Sequence, residues 1–133
     1  MRKFSIITFL AALALFFASD AAAKKNTVPQ ISITQQSHDF GSIPEHGGKV
    51  SHDFIFENAG GGVLIIKDAK ADCGCTVPEY PKNPIGPGKK GKIRVTYNPL
   101  HRPGGFSKTI TITTNGKPRK VRLRITGSVN PNK

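Results

Sequence analysis

The sequence predicts an all-β domain, an immunoglobulin-like β-sandwich of about seven strands. Three observations lead there. Apolar residues recur with a period of two, and no stretch keeps helical spacing over three turns. Clusters of glycine and proline punctuate the chain at short intervals. Beyond the first segment about 110 residues remain, which suits one small two-layer domain. A small β-barrel shares these periodicities; the strand number and spacing favour the sandwich.

Residues 1–23 have the layout of a removable export signal. Arg2 and Lys3 give a positive start, and Phe4 to Phe17 is apolar apart from Ser5 and Thr8. Ala21, Ala22 and Ala23 then form a small-residue cleavage motif before Lys24 and Lys25. The apolar run is about 14 residues, short of the ~20 that cross a bilayer as a helix. No cysteine lies near the junction, so the lipoprotein type of anchor is excluded. The expected product is periplasmic or secreted, has no transmembrane helix after cleavage, and occupies a compartment that permits disulfides. Residues 24–30 are expected as a linker, 31–129 as the domain and 130–133 as a tail.

The strands follow in order. Ile31 and Ile33 alternate with polar residues between Gln30 and Gln35, and a weaker candidate covers His38 to Ile43. Val50, His52, Phe54 and Phe56 alternate with Ser51, Asp53 and Glu57, a phase that turns His52 inward as an interior histidine. Val63 to Ile66 is continuously apolar, as expected of a strand buried on both faces. Ile93, Val95 and Tyr97 alternate with basic residues and Thr96. Phe106 to Thr113 and Lys120 to Thr126 complete the set. Between the last two, Asn115-Gly116 is a strong hairpin signal, because both residues tolerate positive φ. Asn58 and Gly60 are expected to shape the turn after the third candidate strand.

One connection departs from the pattern. Pro78, Pro81, Pro84 and Pro87 recur at every third position, the period of polyproline II. The sharper expectation is a ligand strip for an aromatic groove; the plainer one, preferred here, is a stiff crossover between two sheets.

Cys73-Gly74-Cys75 is the one reactive constellation. Residues i and i+2 of an extended strand share a face, and a bend at Gly74 brings the Cα atoms within the roughly 4.4–6.8 Å of a disulfide. Closing so short a loop adds only about 1.6 kcal/mol in the chain-entropy expression. Three readings stay open: a local disulfide or packed thiol pair, a dithiol exchanging with other thiols, and a two-thiolate copper(I) site. Lys70 is the nearest cation in sequence to activate a thiol. Structural zinc wants four ligands, and His38, His46, His52 and His101 are scattered without paired spacing. No cofactor is called for.

Catalytic motifs are missing as well. There is no Gly-x-Ser-x-Gly, no phosphate-cradling loop and no His-Glu-x-x-His, so a non-enzyme is expected. Charge is more telling. The formal charge is +12, and it is unevenly placed. Lys24 to Glu79 holds 5 basic and 7 acidic residues, whereas Tyr80 to Lys133 holds 13 basic residues and no acid. Lys120, Arg122 and Arg124 share one strand face, with Lys108 expected beside them if the Asn-Gly hairpin pairs the two strands. Such a face either keeps the domain soluble or binds an acidic glycan, a lipid headgroup or an acidic protein. Export and the lack of interleaved aromatics argue against nucleic acid.

These pieces together resemble a known family. Asp39-Phe40-Gly41, Phe54-Ile55-Phe56-Glu57-Asn58-Ala59-Gly60, Leu64-Ile65-Ile66 and Cys73-Gly74-Cys75-Thr76-Val77-Pro78 occur in its order. Ile85-Gly86-Pro87-Gly88, Lys92 to Asn98, Gly105-Phe106, Ile110 to Ile112, Thr114-Asn115 and Ile125-Thr126-Gly127 continue it. The pattern is similar to the domain of unknown function 1573, found in exported proteins common in Bacteroidota. The resemblance implies an immunoglobulin-like sandwich related to hydin and major-sperm-protein domains, which are mostly binding and scaffolding modules. It implies no reaction. Many members carry a lipoprotein cysteine, which this chain lacks. The expected function is therefore an exported, non-catalytic interaction or scaffolding module of the bacterial cell envelope, its partner an envelope protein or a polyanion. Envelope thiol–disulfide chemistry at Cys73 and Cys75 is the first alternative and metal binding there the second.

Overall fold

The computed structural model describes residues 27–131, so the expected export signal lies outside the described residues. Eight strands are present: β1 Ile31–Ile33, β2 Ser37–Pro44, β3 Val50–Asn58, β4 Ile66–Ala71, β5 Thr76–Glu79, β6 Lys90–Tyr97, β7 Gly104–Thr114 and β8 Lys120–Asn130. They form two four-stranded sheets, β1-β3-β6-β5 and β2-β8-β7-β4, the immunoglobulin-like sandwich expected. All pairings are antiparallel except β2 with β8, which run parallel.

Alternation builds the core. Phe54 and Phe56 of β3 with Ile93, Val95 and Tyr97 of β6 face Ile110 and Ile112 of β7 and Leu123 and Ile125 of β8, all buried. Tyr97 and Phe106 stack at 4.0 Å between ring centroids, joining the last residue of β6 to β7. Two glycines make room for aromatic rings. A Cβ on Gly91 would lie 2.5 Å from Phe56 Cζ, its cross-strand partner, and one on Gly127 2.6 Å from Phe106 Cζ. Side-chain volume is thus moved from one strand onto its neighbour.

Several expectations need correction. Val63 to Ile66 is not a strand buried on both faces: Leu64 and Ile66 are buried while Val63 and Ile65 are exposed. The segment bridges Leu64 to Ile85, and its last residue opens edge strand β4. The proline segment does not cross between sheets. Pro78 lies in β5, an edge strand that tolerates a missing N–H, and β5 pairs with β6 in the same sheet. The sheet change falls earlier, between β4 and β5, where Cys73 to Cys75 sit.

The β7–β8 connection spans residues 115–119 rather than a two-residue turn, and neither Asn115 nor Gly116 has positive φ. Gly116 is needed for closeness instead, since a Cβ there would meet the Pro29 carbonyl oxygen at 2.3 Å. Residues 27–30, expected within the linker, pack as part of the domain. Ile31 N–H donates to the Lys117 carbonyl and Lys117 N–H to the Pro29 carbonyl, each at 3.0 Å. Asn130, expected in the tail, is the last residue of β8.

Candidate functional site

The Cys73–Cys75 loop, the outward face of β8 and the turns around Asn58 and Asn115 hold the residues singled out by sequence. Cys73 and Cys75 form a disulfide, with Cα atoms 5.4 Å apart. Thr76 N–H donates to the Cys73 carbonyl at 3.3 Å, closing a turn, while Asn98 N–H holds the Cys75 carbonyl at 2.9 Å. Gly74 reaches this bend without positive φ, and a Cβ there would meet nothing within 4 Å. Cys75 is buried at 5 % exposure, while Cys73 is only partly covered. Lys49, with Gly74, Cys75, Val77, Glu79 and Asn98, lines one depression of about 210 Å³. Lys70 lies on β4 opposite Thr111.

The two outer faces differ in how their charges are matched. On the sheet containing β3 and β6, Lys90 is opposite Glu57, and Arg94 is opposite both Asp53 and Glu79. Arg94 Nε and Nη2 donate to the two Asp53 oxygens at 2.8 and 3.1 Å, with Lys92 Nζ 3.9 Å away. Those hydrogen bonds from Arg94, with the charges of Arg94, Lys92 and His52, hold the Asp53 carboxyl below its usual range despite some desolvation.

On the other sheet, Lys120, Arg122 and Arg124 are exposed on alternate positions of β8. Their partners across β7 are Thr113, Thr111 and Thr109, which carry no charge. Among the described residues none of these three cations takes part in an ion pair. Asp68 and Asp72 stand beyond β7, the latter accepting Thr109 N–H at 3.2 Å. The hairpin does not bring Lys108 beside them. Lys108 pairs with buried Ile125, so it points to the side of Phe106 and Ile110.

Asn58 and Asn115 act through their amides. Asn58, wholly buried, accepts from Gln30 N–H at 3.2 Å and Gly60 N–H at 3.1 Å, and donates to the Gly62 and Ile85 carbonyls at 2.7 and 2.9 Å. A Cβ on Gly60 would lie 2.1 Å from the Val28 carbonyl oxygen. Asn115 bridges to the Val63 and Ile65 backbone at 3.0 and 2.8 Å.

Sequence reasoning missed one constellation. The rings of His38 and His52, far apart in sequence, stack at 3.7 Å. Only the phase of His52 with Phe54 hinted at it. Among the described residues, no three His, Cys, Asp or Glu side chains gather as a metal site would need.

The sequence model of the family described as "Protein of unknown function (DUF1573)" matches residues 31–129. No curated protein matches. A protein of unknown function from Porphyromonas gingivalis W83 superposes with a TM-score of 0.67 at 14 % identity, over 83 % of this chain and 51 % of that one. The present chain thus spans about half of its length. The ASH / PapD-like domain 7 of human CEP192 gives 0.63 at 10 % identity, over 80 % and 89 %. The VesB protease of Vibrio cholerae gives 0.57 at 18 % identity, over 74 % of this chain and 32 % of that one. At these identities the likeness is one of fold alone, a β-sandwich.

Proposed function

The chain belongs to the DUF1573 family, and from that premise we propose that it is an exported, non-catalytic interaction module of the bacterial cell envelope that binds a polyanion through the outward face of β8. One observation carries the reading: Lys120, Arg122 and Arg124 project together, unpaired, from a strand flanked by threonines. On the other sheet Lys90 and Arg94 stand opposite carboxylates, so the unmatched cations of β8 set the two outer faces apart. The three side chains span about 14 Å along the strand, with threonine hydroxyls alongside to donate hydrogen bonds to the anionic oxygens of an acidic glycan or lipid headgroup. Export is supported by the charged, apolar and small-residue layout of residues 1–23.

Binding to an immobilised acidic polysaccharide, measured against sodium chloride concentration, tests this. Affinity should fall steeply with salt and be lost in the Arg122→Glu/Arg124→Glu variant. Affinity indifferent to salt, or equal in that variant, refutes the assignment.

A further inference from the structure

We infer that Cys73–Cys75 is a thiol–disulfide exchange site that accepts two electrons from a protein dithiol, with Cys73 as the attacked sulfur. The inference is independent of the basic face. The cysteines are two positions apart, so the bond closes a ring of three residues containing two planar peptide units. So small a ring lacks the torsional freedom that a relaxed disulfide uses, and it staples almost nothing, because it encloses almost no chain. The pair instead occupies the connection where the chain changes sheets, with Cys73 partly exposed.

The two sulfurs are placed unequally. Cys73 is partly exposed and its carbonyl is held only by the local turn. Cys75 is buried and tied to Asn98 at the end of β6. An incoming thiolate therefore reaches Sγ of Cys73 more readily and expels Cys75 as the leaving group. Each sulfur also has polar support for its reduced form. Cys75 N–H donates to Sγ of Cys73 at 3.1 Å, and the Thr76 hydroxyl lies 3.6 Å from Sγ of Cys75. The depression beside Cys75 is lined by Lys49 and Glu79, charges of opposite sign, so the preference for Cys73 rests on exposure.

The step balances. The partner's first thiolate bonds to Sγ of Cys73 as the Cys73–Cys75 bond breaks, and Cys75 leaves as a thiolate and takes up a proton. The partner's second thiol loses its proton and attacks the partner's first sulfur in the mixed disulfide, forming the partner's disulfide and releasing Cys73 as a thiolate that is protonated. The partner is oxidised to a disulfide, and Cys73 and Cys75 are reduced to two thiols.

Two measurements test this on the chain without its export signal. First, one sample of the wild-type protein is equilibrated in a glutathione buffer poised as in the secretory pathway, and a second, fully oxidised and free of glutathione, is mixed with a reduced two-cysteine peptide. The expected result is that at least half of the pair opens in that buffer and that the second sample oxidises one equivalent of the peptide. Second, the single-cysteine variants Cys73→Ser and Cys75→Ser are titrated with a chromogenic disulfide, their folding checked by circular dichroism. Cys73, present in the Cys75→Ser variant, should react about tenfold faster than Cys75 in the other. A bond that stays closed in that buffer and leaves the peptide reduced would overturn the inference. Equal or reversed thiol reactivity would overturn the assignment of Cys73.

Discussion

His38 of β2 and His52 of β3 stack face to face across the two sheets, their ring centroids 3.7 Å apart and their planes 8° from parallel. Phe40 meets His38 edge-on at 4.6 Å, and Phe54 meets His52 edge-on at 4.8 Å. Four rings thus form a row that joins the sheets along one side of the sandwich. The arrangement disfavours a proton on His52, whose charge would be partly buried against the His38 ring.

Stability should therefore rise with pH across the acidic side of neutrality. Burial, and then the neighbouring His38, push the His52 pKa below its usual 6.5, while Asp53 pulls the other way. The unfolded chain then binds more protons than the folded one between the lowered value and 6.5. Stability is undiminished above 6.5, is lost as pH falls through that window, and levels off below it. Urea midpoints from pH 5 to pH 8 should show this slope in the wild type and a flatter one in His52→Phe. Identical slopes in the two proteins would remove the histidine stack as the cause.

Asn58→Ala should cost about 3 kcal/mol. The side chain makes four hydrogen bonds, to Gln30, Gly60, Gly62 and Ile85, with no exposure to water. Truncation strands the Gln30 and Gly60 N–H groups and the Gly62 carbonyl, and leaves the Ile85 carbonyl only its bond from Leu64 N–H, where the chain entering β1, the glycine turn and the proline segment meet. Chemical denaturation reads the loss directly. A change below about 1 kcal/mol would mean that water replaces the amide at this site.

Gly91→Ala should destabilise by about 1–3 kcal/mol through overpacking. The added methyl would collide with the ring of Phe56, directly opposite on β3. In Phe56→Leu the ring is gone, so the same alanine should cost less there than in the wild type. Strict additivity of the two changes would show that ring and glycine are not coupled.

How far the molecule was legible follows from the range of the forces involved. Two-residue periodicity exposed the long strands because burial acts on every second side chain, as in Val50 to Asn58 with its inward Phe54 and Phe56. The short strand β5 escaped notice, since Thr76 to Glu79 carries a proline and only an edge position admits it. Asn115-Gly116 misled for a different reason. Its local turn preference gives way to tertiary contacts, Asn115 bonding the Val63 and Ile65 backbone and Gly116 lying against Pro29. The cysteine pair was visible because its partners are adjacent in sequence. The histidine stack and the neighbour Lys49 were not, because each depends on strands brought together only by the completed fold.

Register also separates two basic residues that composition treats alike. Arg124 is opposite Thr109 and exposed, whereas Lys108 is opposite buried Ile125 and shares the side of Phe106 and Ile110. If a polyanion lies along the outer face of β8, Arg124→Glu should weaken binding about tenfold, a loss of roughly 1.4 kcal/mol. Lys108→Glu makes the same change in net charge on the other side of the strand pair. It should leave affinity within about twofold at an ionic strength where the Debye length is about 8 Å. Comparing the two single variants in one salt titration separates a docked ligand from general attraction to a cationic protein. Equal losses from both would point to the latter, and the outward strand face would then hold no special place.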